Sequence, residues 1–290
     1  MRPRVLVAGC GYLGVATADL LHAGGWEVEG WTQSPESARR LAAKPYPVRA
    51  VDIAELAAVK AAASACEAVI HCASSGGGGP ESYRRIYFVG AENLLAALAP
   101  RIFVYTSSTS VYAQTGGEWV DEESAAEPLH ETGRILRATE ELVRQKGGLV
   151  ARLAGIYGPG RSALLRKFLS GEARLEAGEE RYLNQAHRDD IAAALFLLVH
   201  LPNEERTTTG IVNVADNEPM TQRACYAWLA ARLHRPLPAL VDPPAGRKRG
   251  ASNKRVSNQR LRALGWQPRF PTFPTGMENS VLPASSTLGA

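Results

Sequence analysis

Val5-Leu-Val-Ala-Gly9-Cys-Gly11-Tyr-Leu-Gly14 is the stretch that decides the fold. A short apolar run stops at closely spaced glycines, and a small-residue helical pattern then runs through Thr17 to Ala23. Each glycine has its own task in such a turn. Gly9 permits the tight reversal, Gly11 has no side chain to hold a ligand off the backbone, and Gly14 lets the helix pack close to the strand. The helix N-terminus offers unpaired N–H groups and a positive dipole end, which suit the pyrophosphate of a dinucleotide. The alternative is a structural turn that holds nothing. A strand before and a helix after the glycines favour the ligand.

Working outward, the alternation continues. Strand-like runs cover 4–8, 27–31, 48–51, 68–72, 102–107 and 149–153. Helical patterns fill 12–23, 36–43, 54–63, 82–99 and 131–146. Strands separated by helices of this length imply right-handed βαβ crossovers and an α/β fold, a doubly wound parallel sheet of Rossmann type. Beyond it the pattern loosens. An apolar helix is expected at 189–200, a strand at 211–215, a helix at 221–233 capped by Thr221, a loop at 237–253 and a short helix at 256–264 closed by Gly265. The expected division is a dinucleotide-binding domain over 1–157 with about 185–215, and a small α/β substrate lobe over 158–184 and 216–282 beside the sheet's carboxyl edge. Residues 283–290 are expected to form a disordered tail.

The bulk properties set limits. The chain has 290 residues, 45% apolar, enough for a large core. A formal charge of +4 with 21% charged residues calls for neither nucleic acid nor a membrane surface. Met1-Arg-Pro-Arg4 leads straight into a strand without a signal-peptide pattern, and no apolar run reaches the roughly 18 residues of a spanning helix. Cys10, Cys66, Cys72 and Cys225 lack metal-ligand spacing and read as reduced thiols of a cytoplasmic protein, so no metal is expected.

Several segments together resemble the extended short-chain dehydrogenase/reductases, the NAD-dependent epimerase/dehydratases. Gly11-Tyr12-Leu13-Gly14 is similar to their phosphate turn, with Ala8 at the usual first glycine. Tyr87-Phe-Val-Gly90-Ala-Glu-Asn93-Leu-Leu resembles their N-V-x-G-T-x-N-L-L helix, and Thr106-Ser-Ser108-Thr-Ser-Val-Tyr112 their active-site strand end. Arg152-Leu-Ala-Gly-Ile-Tyr157-Gly-Pro, His187-Arg-Asp-Asp190, Asn213-Val-Ala-Asp-Asn-Glu-Pro and Leu264-Gly-Trp-Gln-Pro268 follow in family order. The departures matter equally. Counting from Glu140, the family's catalytic Tyr and Lys fall on Thr132 and Leu136, and its active-site Asn falls on Tyr87. A Thr hydroxyl is a far weaker acid than a phenol, and Leu supplies no charge. The chain therefore resembles the atypical members that lack the Tyr-x-x-x-Lys pair.

The resemblance implies cofactor contacts from Gly9, Gly11, Tyr12, Leu13 and Gly14, from the adenine-side pair Asp52 and Ile53, and from Cys72, Ala73 and Ser74. It extends them to Thr106 and Ser107 and to Ala154, Gly155 and Ile156. After Trp31 no carboxylate stands where an NAD-selective acid would bind the ribose. Thr32, Gln33 and Ser34 can instead hydrogen-bond a 2′-phosphate, with Arg39 or Arg40 to neutralise it. NADP is favoured over NAD on this ground, and the alternative leaves both arginines as solvated surface.

Ser108 is the first catalytic candidate, as the group that orients a substrate oxygen, against a plain strand-end cap. Tyr112 is either an acid or a packed aromatic, and Tyr87 either points into the site or belongs to the core. His130 and Arg134 lie two residues before the lost positions, on other helix faces. His130 would titrate usefully as an acid, Arg134 could reach a ribose or an anionic substrate, and surface roles are the alternative. His187-Arg-Asp-Asp190 reads as structural, with Asp189 at a helix start. The basic run Arg247-Lys-Arg249 and Lys254-Arg255 is an exposed loop or a cation set for a phosphate-bearing substrate.

Two readings follow. One is an NAD(P)-dependent oxidoreductase or epimerase that moves a hydride to or from a sugar-like or other small carbonyl or alcohol substrate, with Tyr112, His130 or water as a non-standard proton donor. The other is a non-catalytic NADP-binding sensor. A homodimer is what the resemblance implies, through the helical segments 82–99 and 131–146.

Overall fold

Three strands, Ala68–His71, Leu149–Leu153 and Ile211–Val214, are mostly apolar and buried at every position, and strands of that kind pair in parallel beneath two layers of helix. The computed structural model describes residues 2–178, 180–242 and 252–286, with nothing described for the Ser286 side chain. Strands β1 (Arg4–Ala8), β2 (Glu27–Thr32), β3 (Val48–Ala50), β4 (Ala68–His71) and β5 (Ile102–Ser108) join Leu149–Leu153 and Ile211–Val214 in one sheet. Its order is 211–214, 149–153, β5, β4, β1, β2, β3. The β3–β2, β2–β1, β1–β4 and β4–β5 pairings are all parallel. Because β2 lies to one side of β1 and β4 to the other, the chain switches direction there. Ligands bind beyond the carboxyl ends of strands at such a point.

Helices α1 (Tyr12–Ala23), α2 (Pro35–Arg40) and α3 (Leu56–Ala62) connect the first strands. The 82–99 pattern is realised as α4 (Pro80–Tyr83), a π-helical stretch Arg84–Val89, and α5 (Gly90–Leu98). The sequence pattern did not reveal that widening. Helix α6 (Glu131–Gln145) packs on the π-helical stretch, on β5 and on α4.

The chain divides into two compact units. The first comprises Met1–Val111, Ala126–Arg152 and Ile191–Val212; the second comprises Tyr112–Ala125, Leu153–Asp190 and Asn213–Ala290. These bounds differ from the expected ones at 112–125, 153–157, 185–190 and 213–215. The reason is local pairing inside the second unit: Glu118–Val120 pairs in parallel with Lys254–Val256, and Gly155–Tyr157 with Gln185–His187. Tyr157, Phe168, Tyr226, Leu229, Phe273 and Met277 form much of that unit's core.

Two expectations are corrected here. The helix placed at 256–264 begins as a strand, Lys254–Val256, and turns helical only over Gln259–Ala263. Val256 N–H donates to Asn184 Oδ1 (2.7 Å), and the sheet pairing overrides the helical pattern. The tail is helical over Leu282–Ser286, where it continues the π-helical Met277–Val281. Residues 287–290, also expected to be disordered, lie outside the described residues.

Candidate functional site

The turn after β1 is held open from below and closed from the side. Gly9 has φ +100°, and a Cβ there would stand 2.1 Å from the backbone N of Ala73. A Cβ on Gly14 would stand 2.2 Å from the carbonyl oxygen of Gly9, so α1 meets the turn at backbone distance. The N–H groups of Gly9 and Cys10 both donate to the carbonyl of Trp31 (3.0 and 2.7 Å), which ties the turn to the end of β2. Gly11 is exposed, and a Cβ there would meet nothing within 4 Å. The protein therefore presents bare backbone and open space at the start of α1, the fit a pyrophosphate requires. Leu13 is buried beneath and Tyr12 is half-buried. The Cys72 thiol donates to the Gly9 carbonyl (3.5 Å), and burial raises its pKa, so it is no nucleophile. Ser74 is exposed and its hydroxyl accepts from the Gly76 N–H.

At the end of β2 the candidates separate. The Thr32 hydroxyl donates inward to the carbonyls of Ser34 and Arg49 (3.3 and 3.4 Å), so its proton is unavailable to a phosphate. Ser34 caps α2, accepting from the Ser37 N–H (3.2 Å) and donating to the Ser37 hydroxyl (3.1 Å). Arg40 is tied to Glu36 (2.7 Å). Gln33 and Arg39 remain exposed, Arg39 without an ion pair among the described residues. Asp52 is also engaged: Arg85 donates to its Oδ2 (2.6 Å) and the Ala54 N–H to its Oδ1 (3.0 Å). Sequence reasoning missed that pair, which has no short-range signal. Ile53 is buried, and its carbonyl accepts from Asn93 Nδ2 (2.9 Å), which explains the asparagine in α5.

Along β5 the hydroxyls divide as well. Thr106 donates to the His71 carbonyl (3.2 Å) and Ser107 to Glu140 Oε1 (2.6 Å), so both side chains serve the interior. Ser108 is half-buried, and its oxygen accepts from the Ser110 N–H (3.1 Å). That leaves the Ser108 O–H free to donate.

The model of the NAD dependent epimerase/dehydratase family matches residues 5–215. The chain belongs to that family. Protein YeeZ of Escherichia coli K12 is 28% identical over 286 residues, covering 92% of this chain and 96% of that protein. UDP-glucose 4-epimerase of Thermus thermophilus, solved in complex with NAD, superposes with a TM-score of 0.79 at 21% identity, covering 99% of each chain. Human epimerase family protein SDR39U1 (isoform 2), solved with NADPH, does so with a TM-score of 0.75 at 20% identity, covering 95% of this chain and 98% of that one. At these identities the two structural likenesses are of fold.

Helix α6 turns its apolar side chains inward. Thr132 is half-buried and Leu136 is 3% exposed, packed in the core. His130 and Arg134 are exposed, and Arg134 folds back to donate to the Leu129 carbonyl (3.2 Å). The buried face is devoted to one carboxylate. Glu140, fully buried, accepts from Ser107, from Arg137 (2.6 Å) and twice from Arg152 (3.0 and 2.7 Å). Its charge joins β5, α6 and the strand 149–153 at one point. The signal was present as two motif charges, Glu140 and Arg152, but their contact becomes visible only in the fold.

Tyr87 lies in the π-helical stretch, half-buried, with its ring 5.0 Å from Tyr83 and 6.5 Å from Tyr105. Beneath it His71 is fully buried, its Nε2–H donating to the Ile86 carbonyl (3.2 Å). Burial lowers the His71 pKa to about 4.

The remaining candidates belong to the second unit. Tyr112 is corrected from acid candidate to packed aromatic: it is 1% exposed and its hydroxyl donates to Asn213 Oδ1 (2.9 Å). Ala154 and Gly155 spend their N–H groups on the carbonyls of Val214 and Asn184 (3.0 and 2.9 Å), and Ile156 lies in the strand beside Gln185–His187. Asp190 accepts from the N–H groups of Arg269 and Phe270 (2.7 and 3.0 Å), and its carbonyl from Trp266 Nε1 (3.1 Å). The His187–Asp190 and Leu264–Pro268 motifs thus hold each other. His187 is buried with both ring nitrogens used, toward Ser280 and the Asp189 N–H. Lys254 and Arg255 are corrected from the cation role. Lys254 is buried, donates to the Tyr112 carbonyl (3.0 Å), and has its pKa lowered by burial to about 8. Arg255 lies over the Trp119 and Tyr182 rings and donates to the Gly117 carbonyl. Arg247, Lys248 and Arg249 lie outside the described residues.

Proposed function

We propose that the chain binds a nicotinamide dinucleotide at the Gly9–Gly14 turn, prefers NADP, and acts as an oxidoreductase or epimerase/dehydratase-like enzyme on a sugar-like or small carbonyl or alcohol substrate. The observation that carries this reading is the open space over Gly11, framed by backbone contacts at Gly9 and Gly14 that tolerate no side chain. The relatives solved with NAD and with NADPH support the cofactor class. Gln33 and Arg39 support NADP: an exposed amide and an unpaired guanidinium suit a 2′-phosphate, and a guanidinium can grip it through two N–H groups. Thr32 and Ser34 shape that corner without donating to it.

When bound, the nicotinamide supplies a hydride donor or acceptor. Ser108, its oxygen fixed by the Ser110 N–H, directs its own proton at a substrate oxygen and orients it. A serine hydroxyl is too weak an acid to be the terminal donor, so the proton comes from His130 or water while Ser108 orients the oxygen. Glu140 holds the β5 end still through Ser107. A second reading, an NADP-binding sensor without turnover, is favoured by the buried apolar Leu136 at the family's lysine position. The test is a titration with NADPH and NADH followed by a nicotinamide-absorbance screen of carbonyl and nucleotide-sugar substrates. Saturable NADPH binding with turnover that falls in Ser108→Ala supports the enzyme. Binding with no turnover on any substrate supports the sensor, and NADH binding as tightly as NADPH removes the NADP preference.

A further inference from the structure

The strands of the first unit have a second functional-looking end. At their amino ends, opposite the Gly9 turn, lies a groove of about 850 Å³. It is built by the residues that lead into β1, β2, β4 and β5, and by the end of the helix Arg188–His200 with the start of Asn203–Thr209. That volume lies within the range of small-molecule sites.

Four arginines line it, Arg2, Arg4, Arg101 and Arg206, against one carboxylate, Glu67. Arg4 is partnered by Glu27 (3.0 Å) and Glu29 (3.6 Å). Arg101 is 67% exposed and touches Glu67 only loosely, at 3.5 Å. Arg2 is exposed and has no ion pair among the described residues. Arg206 is the telling residue. It is 8% exposed, and no carboxylate among the described residues pairs with it. Its Nη1 donates to the Leu201 carbonyl and its Nη2 to Asn203 Oδ1 (3.1 Å), both neutral acceptors. Those bonds account for two of its five N–H groups. Burial, and after it Arg101, lowers the Arg206 pKa, and Glu67 raises it. A guanidinium stays charged at neutral pH, and a buried cation whose nearby carboxylate, Glu67, also faces Arg101 and forms no ion pair with it is costly to keep. The wall beside it is rigid: Trp26 Nε1 donates to His200 Nε2 (3.0 Å), and His200 Nδ1 donates to the Phe196 carbonyl (2.7 Å).

We propose that this groove binds a phosphate-bearing small anion of diphosphate or nucleotide size, with Arg206 and Arg101 as its main contacts. The anion supplies the direct ion-pair partner that Arg206 lacks among the described residues, and planar guanidinium groups match phosphate oxygens in pairs. The site is separate from the dinucleotide turn, and it stands or falls independently of the proposed function.

The test is calorimetric titration of the full chain with inorganic pyrophosphate, in the unaltered protein and in Arg101→Glu, Arg206→Met and Gly11→Asp. Saturable binding is expected in the unaltered protein, and a saturable component is expected to persist in Gly11→Asp, which removes any contribution from the dinucleotide turn. Arg101→Glu, at an exposed position, is expected to fold normally and bind about tenfold more weakly or worse, the scale of one lost charge-assisted contact. Arg206→Met, if it folds, should lose binding altogether; if it does not fold, Arg101→Glu decides. No saturable binding, equal binding in Arg101→Glu, or binding lost in Gly11→Asp alone would each overturn the proposal.

Discussion

The Gly9–Gly14 turn and the start of α6 are both parts of the first unit, and the resemblance assigns both to the site, yet they are built to opposite ends. In the turn, backbone fills the space on two sides and leaves the third open at Gly11. In α6, side chains close everything inward: Ile135, Leu136 and Val143 are buried, and Glu140 is saturated with donors. A turn that holds a ligand must keep a space, whereas a helix whose face has become core has no reason to keep one. The turn keeps open backbone at Gly11, and α6 gives its inward face to the core.

That contrast can be broken most sharply at Gly9. Gly9→Ala forces a Cβ into the Ala73 backbone at φ +100°, and it is expected to cost about 4 kcal/mol or more, read as loss of the folded fraction in urea. On the α6 side, Glu140→Ala strands Arg152 at 2% exposure without its partner. A loss of about 3–5 kcal/mol is expected, and a loss below about 1 kcal/mol would mean that the network is not what joins β5 to α6.

His71 lies between the two regions, ending β4 beneath the turn and bonding the π-helical stretch that packs on α6. Its folded pKa of about 4 lies below the ordinary histidine value of 6.5, so the unfolded chain binds the extra proton first as pH falls. Stability from this group is therefore complete above about pH 6.5 and declines by up to about 3 kcal/mol toward pH 4. His71→Phe should flatten that decline in urea midpoints measured across pH 4 to 7. His187 in the second unit, also lowered to about 4 by burial, should keep part of it. The smallest effect is at the cofactor corner. Arg39→Ala should weaken NADPH about tenfold while leaving NADH unchanged, and equal weakening of both would remove Arg39 from the 2′-phosphate.

The sheet was legible because its signals are local. Runs such as Val5–Ala8 and Ala68–Ile70 are apolar throughout, and the glycines punctuate them at fixed offsets. The turn's three glycine roles follow from spacing and reappear as Cβ distances. What was hidden depends on contacts distant in sequence. Thr32 and Ser34 looked free to meet a phosphate, but their protons go to a carbonyl and to Ser37. Tyr112 was open between an acid and a packed aromatic until Asn213, 101 residues away, claimed its hydroxyl. Lys254 and Arg255 read as an exposed loop or a cation set just ahead of the helical pattern of 256–264. Pairing with Glu118–Val120 makes the segment a strand and buries the lysine. The extra residue of the π-helical stretch shifts Tyr87 relative to an ideal helix, and nothing in apolar periodicity marks it.

The most direct measurement is NADPH binding to the unaltered chain and to Gly11→Asp, with urea stability recorded for both. A side chain at Gly11 meets no protein atom within 4 Å, so folding should change by less than about 0.5 kcal/mol. A carboxylate there would face the pyrophosphate, and NADPH affinity should fall about a hundredfold or more. The same NADPH affinity in Gly11→Asp, or no binding to the unaltered chain, would contradict the account.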